Sequence, residues 1–564
     1  MPATPFKNHR IRKHFQAQLK TDRIIRFQNW IRNDFFGVVR EMRISYLPPL
    51  MVYLAAGVSG FTGIIESFFV KEQLGLSAAF LASLGFWAGL PWALKMPLGH
   101  LVDLYWRRKS LFVYLGATLM AVSLMIMVGL TGYADRLAAL LPLDIWYILS
   151  VMLSPVGFVL QDVVADAMTV EAVPSFNKDG SKIPEDTLKK MHVTVQTLGR
   201  IAITGGGALV AGLGGWLAGT ISYKVMYGMS LVIPMISVLG VLYGDRLLKK
   251  RREHLRKGGY GQSRIKMMMG THDTGTRPNM KILGGSGIFV VMILLLGLSH
   301  IPFKEEVIFV SSLGIVFYLM TQLVSALSMD KRSEIIRIAI IIFVFRAMPG
   351  MGAGAGWWQI DTLHFDEAFF GTLRQISGIL AIFGMFALRG WMTRRPVPYL
   401  VVFLSVYNTV MTLPFLGMYL GLHEWTEAVL GFGARTIAVI DTMADSPLGQ
   451  VAMIPMLAWI AKEAPADQKA TYFAVMAAFT NLALSASNLG TRYLNRIFVI
   501  ERSQYDELGG LMATVLLLGL LVPAATVLFF KPGRQRKGDG GASSGKKPEI
   551  PDHDFEDMPL RSAA

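Results

Sequence analysis

Apolar residues come in long unbroken runs along this chain, not at the spacing of a helix with a single dry stripe. Six runs of about 20 residues or more, the length a membrane helix needs, contain no Asp, Glu, Lys or Arg: Leu111–Ala134, Val225–Gly244, Ile282–Phe303, Val307–Met329, Pro396–Leu422 and Gly509–Phe530. Eight further segments carry one to three ionisable residues each: 48–70, 77–98, 142–170, 191–219, 334–357, 367–390, 434–461 and 468–493. The pattern predicts an all-α polytopic membrane protein with about fourteen transmembrane helices.

The loops test that count. With the N-terminus placed in the cytoplasm and sides alternating, 40 of the 55 Lys and Arg residues fall in cytoplasmic segments and 6 in external ones. The other nine lie within spans. This is the positive-inside bias, and one miscounted span in the middle would have scrambled it. Both termini are therefore expected in the cytoplasm, with the protein in the plasma membrane.

Spacing divides the chain into six expected parts. A basic N-terminal segment covers 1–46, and its stretch Ile24–Ile44 suits a helix lying on an anionic membrane surface. A six-helix bundle follows at 47–244, then a basic linker at 245–281 and an inserted two-helix hairpin at 282–330. A second six-helix bundle occupies 331–530. The tail 531–564 is rich in Gly, Ser and charge and is expected to be disordered.

Composition agrees with the pattern. Of 564 residues, 53% are hydrophobic and 17% charged, against about 25% charged in soluble domains. The net charge of +16 is read as basic loops on one side of a membrane, not as a nucleic-acid surface. Cysteine is absent, which excludes disulfides, thiolate nucleophiles and cysteine-ligated metal. Histidines lack zinc-ligand spacing and no phosphate-binding loop follows a strand. No cofactor, no metal and no enzymatic activity are expected.

Ionisable residues inside a membrane mark pathways or pairs. Asp162 and Asp166 are four apart and share a helix face. At about 1.5 Å of rise per residue, Arg200 on the next, antiparallel helix comes level with them, so either aspartate could pair with it. Asp441 and Asp445 repeat the spacing in the second half. Arg346 lies near mid-depth, just before the small-residue run Pro349–Gly356, which lets a helix bend or neighbours approach closely. Static salt bridges and substrate or proton handling are both compatible with these groups. Arg200 and Arg346 suit an anionic solute, because guanidinium forks bind carboxylate bidentately. Glu66 falls near the external end of the first span, either on the pathway or, as the simpler reading, at the interface. The glycines at 205–207 and 212–215 read as helix-packing faces.

The loop Gly99-His-Leu-Val-Asp103-Leu-Tyr-Trp-Arg107-Arg108-Lys109 resembles the loop signature of the major facilitator superfamily. There a glycine permits close helix approach and an aspartate latches one conformation. The two halves also repeat weakly: Asp162–Pro174 and Gln450–Pro465 each end a span before a polar loop and a lysine-bearing entry into the next helix. More specifically, Leu90-Pro-Trp-Ala-Leu-Lys-Met-Pro-Leu-Gly-His-Leu-Val-Asp103, Gln161-Asp-Val-Val-Ala-Asp-Ala-Met-Thr-Val-Glu171, Ile454–Pro465 and Ala470–Asn481 together resemble motifs of the folate–biopterin transporter family. The match covers roughly 48–220 and 334–530. The sequence departs from the family at Met96, at Val164-Ala165 and at Ala464–Gln468, and its two central spans are additional.

The resemblance implies a major facilitator fold and import of folates or pterins, coupled to protons, by alternating access. Carried over by position, it marks Lys95, Asp103, Asp162, Asp166, Glu171 and Asn481. Muropeptide permeases share similar elements and imply an organic-anion permease instead. A membrane scaffold that docks an unknown protein partner through the two central helices is the reading from a different class.

Overall fold

The computed structural model describes residues 41–93, 95–174, 176, 181–268, 280–299, 301–324, 328–392, 395–449 and 469–530. Among them the chain is helical apart from turns and two isolated β-bridges, Phe176–Lys182 and Glu501–Gln504. A backbone immersed in lipid has no water to satisfy its polar groups, and a helix satisfies them within itself. Among the described residues eight helical segments are long and apolar enough to cross a membrane. Each remaining expected span also contains helix among its described residues, with breaks such as the one at 347–352.

The first seven labels follow the chain: α1 (Ile44–Leu74), α2 (Ala78–Ala93), α3 (Lys95–Leu104), α4 (Ser110–Gly132), α5 (Leu143–Ala172) and α6 (Glu185–Ala218), then α7 (Tyr223–Lys257). The hairpin is α8 (Met280–Leu298) and α9 (Lys304–Val324). The last seven are α10 (Met329–Arg346), α11 (Ala353–Asp361), α12 (Glu367–Met392), α13 (Val397–Tyr419), α14 (Ala434–Gly449), α15 (Lys469–Ile497) and α16 (Leu508–Phe529). Helices α1 and α4–α7 pack on one another, as do α10, α12–α14 and α16. Two seams join the sets, α6 against α12 and α2 against α15.

Small residues make the first seam tight. A Cβ built on Gly215 would lie 2.5 Å from the Glu367 carbonyl oxygen and 2.7 Å from Gly371 Cα. One on Gly378 would lie 2.5 Å from Ala208 Cβ. Backbones this close gain dispersion contacts along their length, the main attraction between helices that lipid cannot replace. Other glycines of the α6 run face α1, where Gly206 meets Leu54 and Gly57.

The single span expected at 334–357 is broken. Helix α10 ends at Arg346, residues 347–352 are not helical, and α11 begins at Ala353. Pro349 cannot supply a helical N–H, and Gly352 takes φ 77°, a conformation L side chains disfavour. A Cβ at Gly352 would sit 2.8 Å from the Asn495 side-chain nitrogen.

The hairpin α8–α9 docks against α15. Buried Glu305 accepts hydrogen bonds from Ser83 (2.8 Å) and Trp87 (3.2 Å) on α2 and from Arg492 (2.9 Å) on α15. The carboxylate at the hairpin's turn thus holds both helices of the second seam. Most of the N-terminal segment 1–46, residues 269–279 of the linker and the tail 531–564 lie outside the described residues, as do 450–468 of the late motif.

Candidate functional site

For the site, the helix ends near 105–109, 173–184 and 245–268 are called the basic face, and the other ends the opposite face. Two groups of charge lie between them. The first belongs to α1, α3 and α5. Lys95 Nζ is 2.5 Å from Asp162 Oδ2 and 2.7 Å from Asp166 Oδ2. Tyr53 donates its hydroxyl to Asp166 Oδ1 at 2.6 Å. The i, i+4 spacing of the aspartates brings both carboxylates to one ammonium. The predicted Arg200 pairing is not made: among the described residues Lys95 is the cation in contact with both aspartates, and the Arg200 side chain is exposed nearby on α6. A lysine entering from the facing helix reaches the aspartates directly, whereas Arg200 makes no ion pair with them among the described residues.

The second group lines a cavity of about 490 Å³ between the two sets of helices. Its walls come from α1, α2, α5, α11 and α12 and from Gly352. Glu66 on α1 accepts a hydrogen bond from Tyr147 on α5 at 3.0 Å. Arg374 on α12 reaches across to α1, where a Cβ at Gly63 would lie 3.2 Å from its Nη1. Gly63 and Glu66 stand three residues apart on one helix face. Among the described residues no ion pair joins Glu66 to Arg374, and none is made by Arg374 to any other group. Phe68, Trp357 and Phe370 supply aromatic walls. Gly356 lines the cavity, and a Cβ there would meet nothing within 4 Å.

The opposite face is closed above this cavity. Lys71, at the end of α1, pairs with Asp361 at the end of α11, and Tyr505 donates to the same carboxylate. Arg502, in the turn after α15, donates to the Lys71 carbonyl and to those of Val70 and Leu76, both at 3.1 Å. Its guanidinium lies 4.5 Å from the centre of the Trp357 ring. Burial pushes the Asp361 carboxyl up, but the bonds from Lys71 and Tyr505 outweigh it and hold the group below the usual carboxylate range.

The remaining predicted residues are scattered. Glu171, at the basic end of α5, pairs with Lys109 at 2.9 Å. Arg108 is exposed beside it. The side chains of Asp103 and Arg107 lie outside the described residues. Among the described residues, a Cβ at Gly99 meets nothing within 4 Å, so the close approach predicted there is not made. Arg346, Asp441, Asp445 and Asn481 are half-buried. Arg346 Nε and Asp441 Oδ1 are buried without a hydrogen-bond partner, and the two residues are not an ion pair among the described residues. Sequence reasoning passed over Arg374, Tyr147, Lys71 and Asp361. Arg374 carried a signal, an arginine inside an apolar run, whereas Tyr147 carried none. Among the described residues no cluster could hold a metal ion.

The BT1 family model matches residues 56–542. A curated protein of Synechocystis sp. (strain ATCC 27184 / PCC 6803 / Kazusa) named "Folate-biopterin transporter" is 20% identical over 483 residues, covering 84% of this chain and 79% of its own. Among solved structures, the peptide transporter POT has a TM-score of 0.55 at 16% identity, over 86% of this chain and 94% of its own. The nucleoside transporter NupG has a TM-score of 0.55 at 11% identity, over 87% of this chain and all of its own. At these identities the two structures establish likeness of fold alone.

Proposed function

The chain belongs to the BT1 family and is a multi-pass membrane transporter, and on that footing we propose that it is a secondary active carrier of a small organic anion of the folate or pterin type. The carrying observation is the cavity between the two sets of helices, into which Arg374 projects without an ion-pair partner among the described residues. A guanidinium without an ion-pair partner is the natural complement of a carboxylate. Phe68, Trp357 and Phe370 offer apolar surface for a flat ring. The volume is within the range of small-molecule sites, about 300–1,000 Å³. The substrate named for the Synechocystis relative supports the pterin class.

The same geometry supports transport by alternating access. The contacts of Lys71, Asp361 and Arg502 close the opposite face, and opening it requires that they separate. We place the basic face in the cytoplasm of the plasma membrane, on the positive-inside bias. The Lys95–Asp162–Asp166 group is the proposed coupling element: adding a proton to either aspartate weakens its hold on Lys95 and frees α3 to shift against α5. Asp103 at the end of α3, Arg107 and Arg108 in the loop after it, and Glu171 at the end of α5 are the proposed latch of the basic face.

The test is uptake of labelled folate and biopterin into proteoliposomes, with and without an inward proton gradient. Accumulation above empty liposomes, increased by the gradient, is the expected result. Absence of uptake for both solutes refutes the pterin assignment and turns the search to other organic anions. Uptake equally insensitive to pH in wild type and Asp162→Asn sinks the coupling role.

A further inference from the structure

Glu66 is an unusual wall for an anion site. A carboxylate beside a bound anion repels it, and Tyr147 supplies only one hydrogen bond to it, at Oε1. The second oxygen accepts no hydrogen bond among the described residues and is not among the sealed, unpartnered atoms. Arg374 neither pairs with Glu66 nor lies far from it, because its guanidinium rests against Gly63, about 4.5 Å of helix rise from Glu66. One cavity thus presents an open cation and an open acceptor of hydrogen bonds, side by side on the inner face of α1.

We propose that Glu66 is a specificity-determining residue that reads a donor-rich edge of the substrate, an amino group next to a ring N–H, while Arg374 takes the acidic or acceptor group. The proposal rests on the anion-carrier reading and narrows its substrate class to amino-substituted heteroaromatic acids. A carboxylate with an open oxygen is an acceptor only. Two adjacent N–H donors on a flat ring satisfy it in the same forked way as a guanidinium does. A ring with a carbonyl in place of the amino group turns an acceptor toward it, leaving two acceptors face to face and unsatisfied. Selection of this kind is stronger than selection by shape, because rejecting the wrong edge needs only an unmet buried charge. Tyr147 holds the carboxylate in place from α5, and Gly63 leaves room for the guanidinium beside it.

The experiment compares two competitors of labelled folate uptake that differ only at that edge: pterin-6-carboxylate, and the 2,4-dioxo analogue with oxygen in place of the 2-amino group. A third competitor, p-aminobenzoylglutamate, carries the acid without the edge. Wild type should prefer the amino compound by at least about 10-fold in half-inhibitory concentration, the scale of a hydrogen bond to a charged group. In Glu66→Gln the preference should fall to within about twofold or invert, since an amide can donate to the new carbonyl. Inhibition by p-aminobenzoylglutamate should be unchanged in Glu66→Gln and lost in Arg374→Gln. Glu66→Asp, which keeps the acceptor, should retain part of the preference and guards against a misfolded Gln variant.

Equal discrimination by wild type and Glu66→Gln overturns the proposal even if folate is carried. So does a Glu66→Gln protein that loses its response to the proton gradient while still discriminating, which would assign the residue to proton transfer. If wild type carries no folate, the same two pteridine acids are compared by the shift each gives in thermal unfolding. A shift given by the amino compound and erased by Glu66→Gln supports the proposal, and equal shifts or none overturn it.

Discussion

The two charge groups between the faces have similar members and opposite states. Around Lys95 every charge is answered at short range: one ammonium meets two carboxylates, and Tyr53 donates to the second. In the cavity an arginine and a glutamate share one wall without pairing. Ionisable side chains are costly in a membrane unless something answers them. In the first group the protein itself answers them, so that site is a joint between helices. In the second, among the described residues, no ion pair answers them, and the proposed function assigns that part to the solute. On the proposed function both groups serve transport, and they differ in what must change: the closed group has to loosen its own contacts, whereas the open one has to gain a partner.

The sharpest way to break the comparison is to open the closed group. Lys95→Ala leaves two carboxylates on one helix face without their cation. Removing one partner of a fully buried pair costs about 3–5 kcal/mol. The Asp166 side chain is 44% exposed, so the expected loss is smaller, about 2–3 kcal/mol, read as a lowered Tm of the purified protein. Lys95→Ala/Asp162→Asn should recover much of it, because the two changes act on one contact. Recovery of nothing would mean that Lys95 works through packing alone. The complementary change is Arg374→Gln in the open group. It should lower uptake by 10-fold or more, about 1.4 kcal/mol, and shift Tm by no more than an ordinary surface substitution. A Tm loss as large as that of Lys95→Ala would show that the cavity arginine is structural, and the contrast between the groups would fail.

The outline of the fold was legible because lipid simplifies the code. A helix immersed in lipid needs only length and apolarity, and the positive charge of the loops argued for an even number of crossings. The break at 347–352 was half legible, through Pro349 and the glycines around it. Partners were not. Asp162 and Asp166 drew attention by spacing, yet their choice of Lys95 over Arg200 depends on how α3 and α6 are rotated about their axes, which depth alone does not give. Glu66 read most simply as interfacial for the same reason: its distance from the helix end is right, but the wall it faces is made by α5 and α12, far away in sequence. Tyr147 and Gly63 became visible only once those helices were assembled.

Between the extremes stands the closure of the opposite face. Lys71 and Asp361 are 11% and 25% exposed. Asp361→Asn should destabilise this closed arrangement by about 1 kcal/mol, the upper end for a partly exposed pair. Because the chain has no cysteine, Gly356→Cys gives a single thiol in the cavity. Labelling by a charged maleimide added from the opposite face should be several-fold faster in the Asp361→Asn background. The pH dependence has a definite sign. A carboxyl held below its usual range stabilises the closed form fully above about pH 4 and loses that contribution as pH falls through its folded value. Labelling of Gly356→Cys at low pH should therefore approach the rate seen in Asp361→Asn. No difference between the two proteins at neutral pH would mean that Arg502 alone closes this face.

The smallest effect belongs to a pair with the same chemistry and less shelter. Asp366 accepts from Arg435 at 2.7 Å and from the Phe369 backbone N–H at 2.7 Å. Burial raises its carboxyl, but these bonds outweigh burial and hold it below the usual range, the same sign as at Asp361. Yet Arg435 and Asp366 are 54% and 49% exposed, so water and salt screen both charges before they screen each other. Exposed pairs of this kind contribute about 0.2–1 kcal/mol, and Asp366→Asn keeps an acceptor for the Phe369 N–H. The expected change in Tm therefore corresponds to less than about 0.5 kcal/mol, shrinking further in high salt. A loss equal to that of Asp361→Asn would show that hydrogen-bond geometry, not shelter from solvent, ranks the charged contacts of this transporter. The open state of Arg374 would then need an explanation other than the proposed binding of a solute.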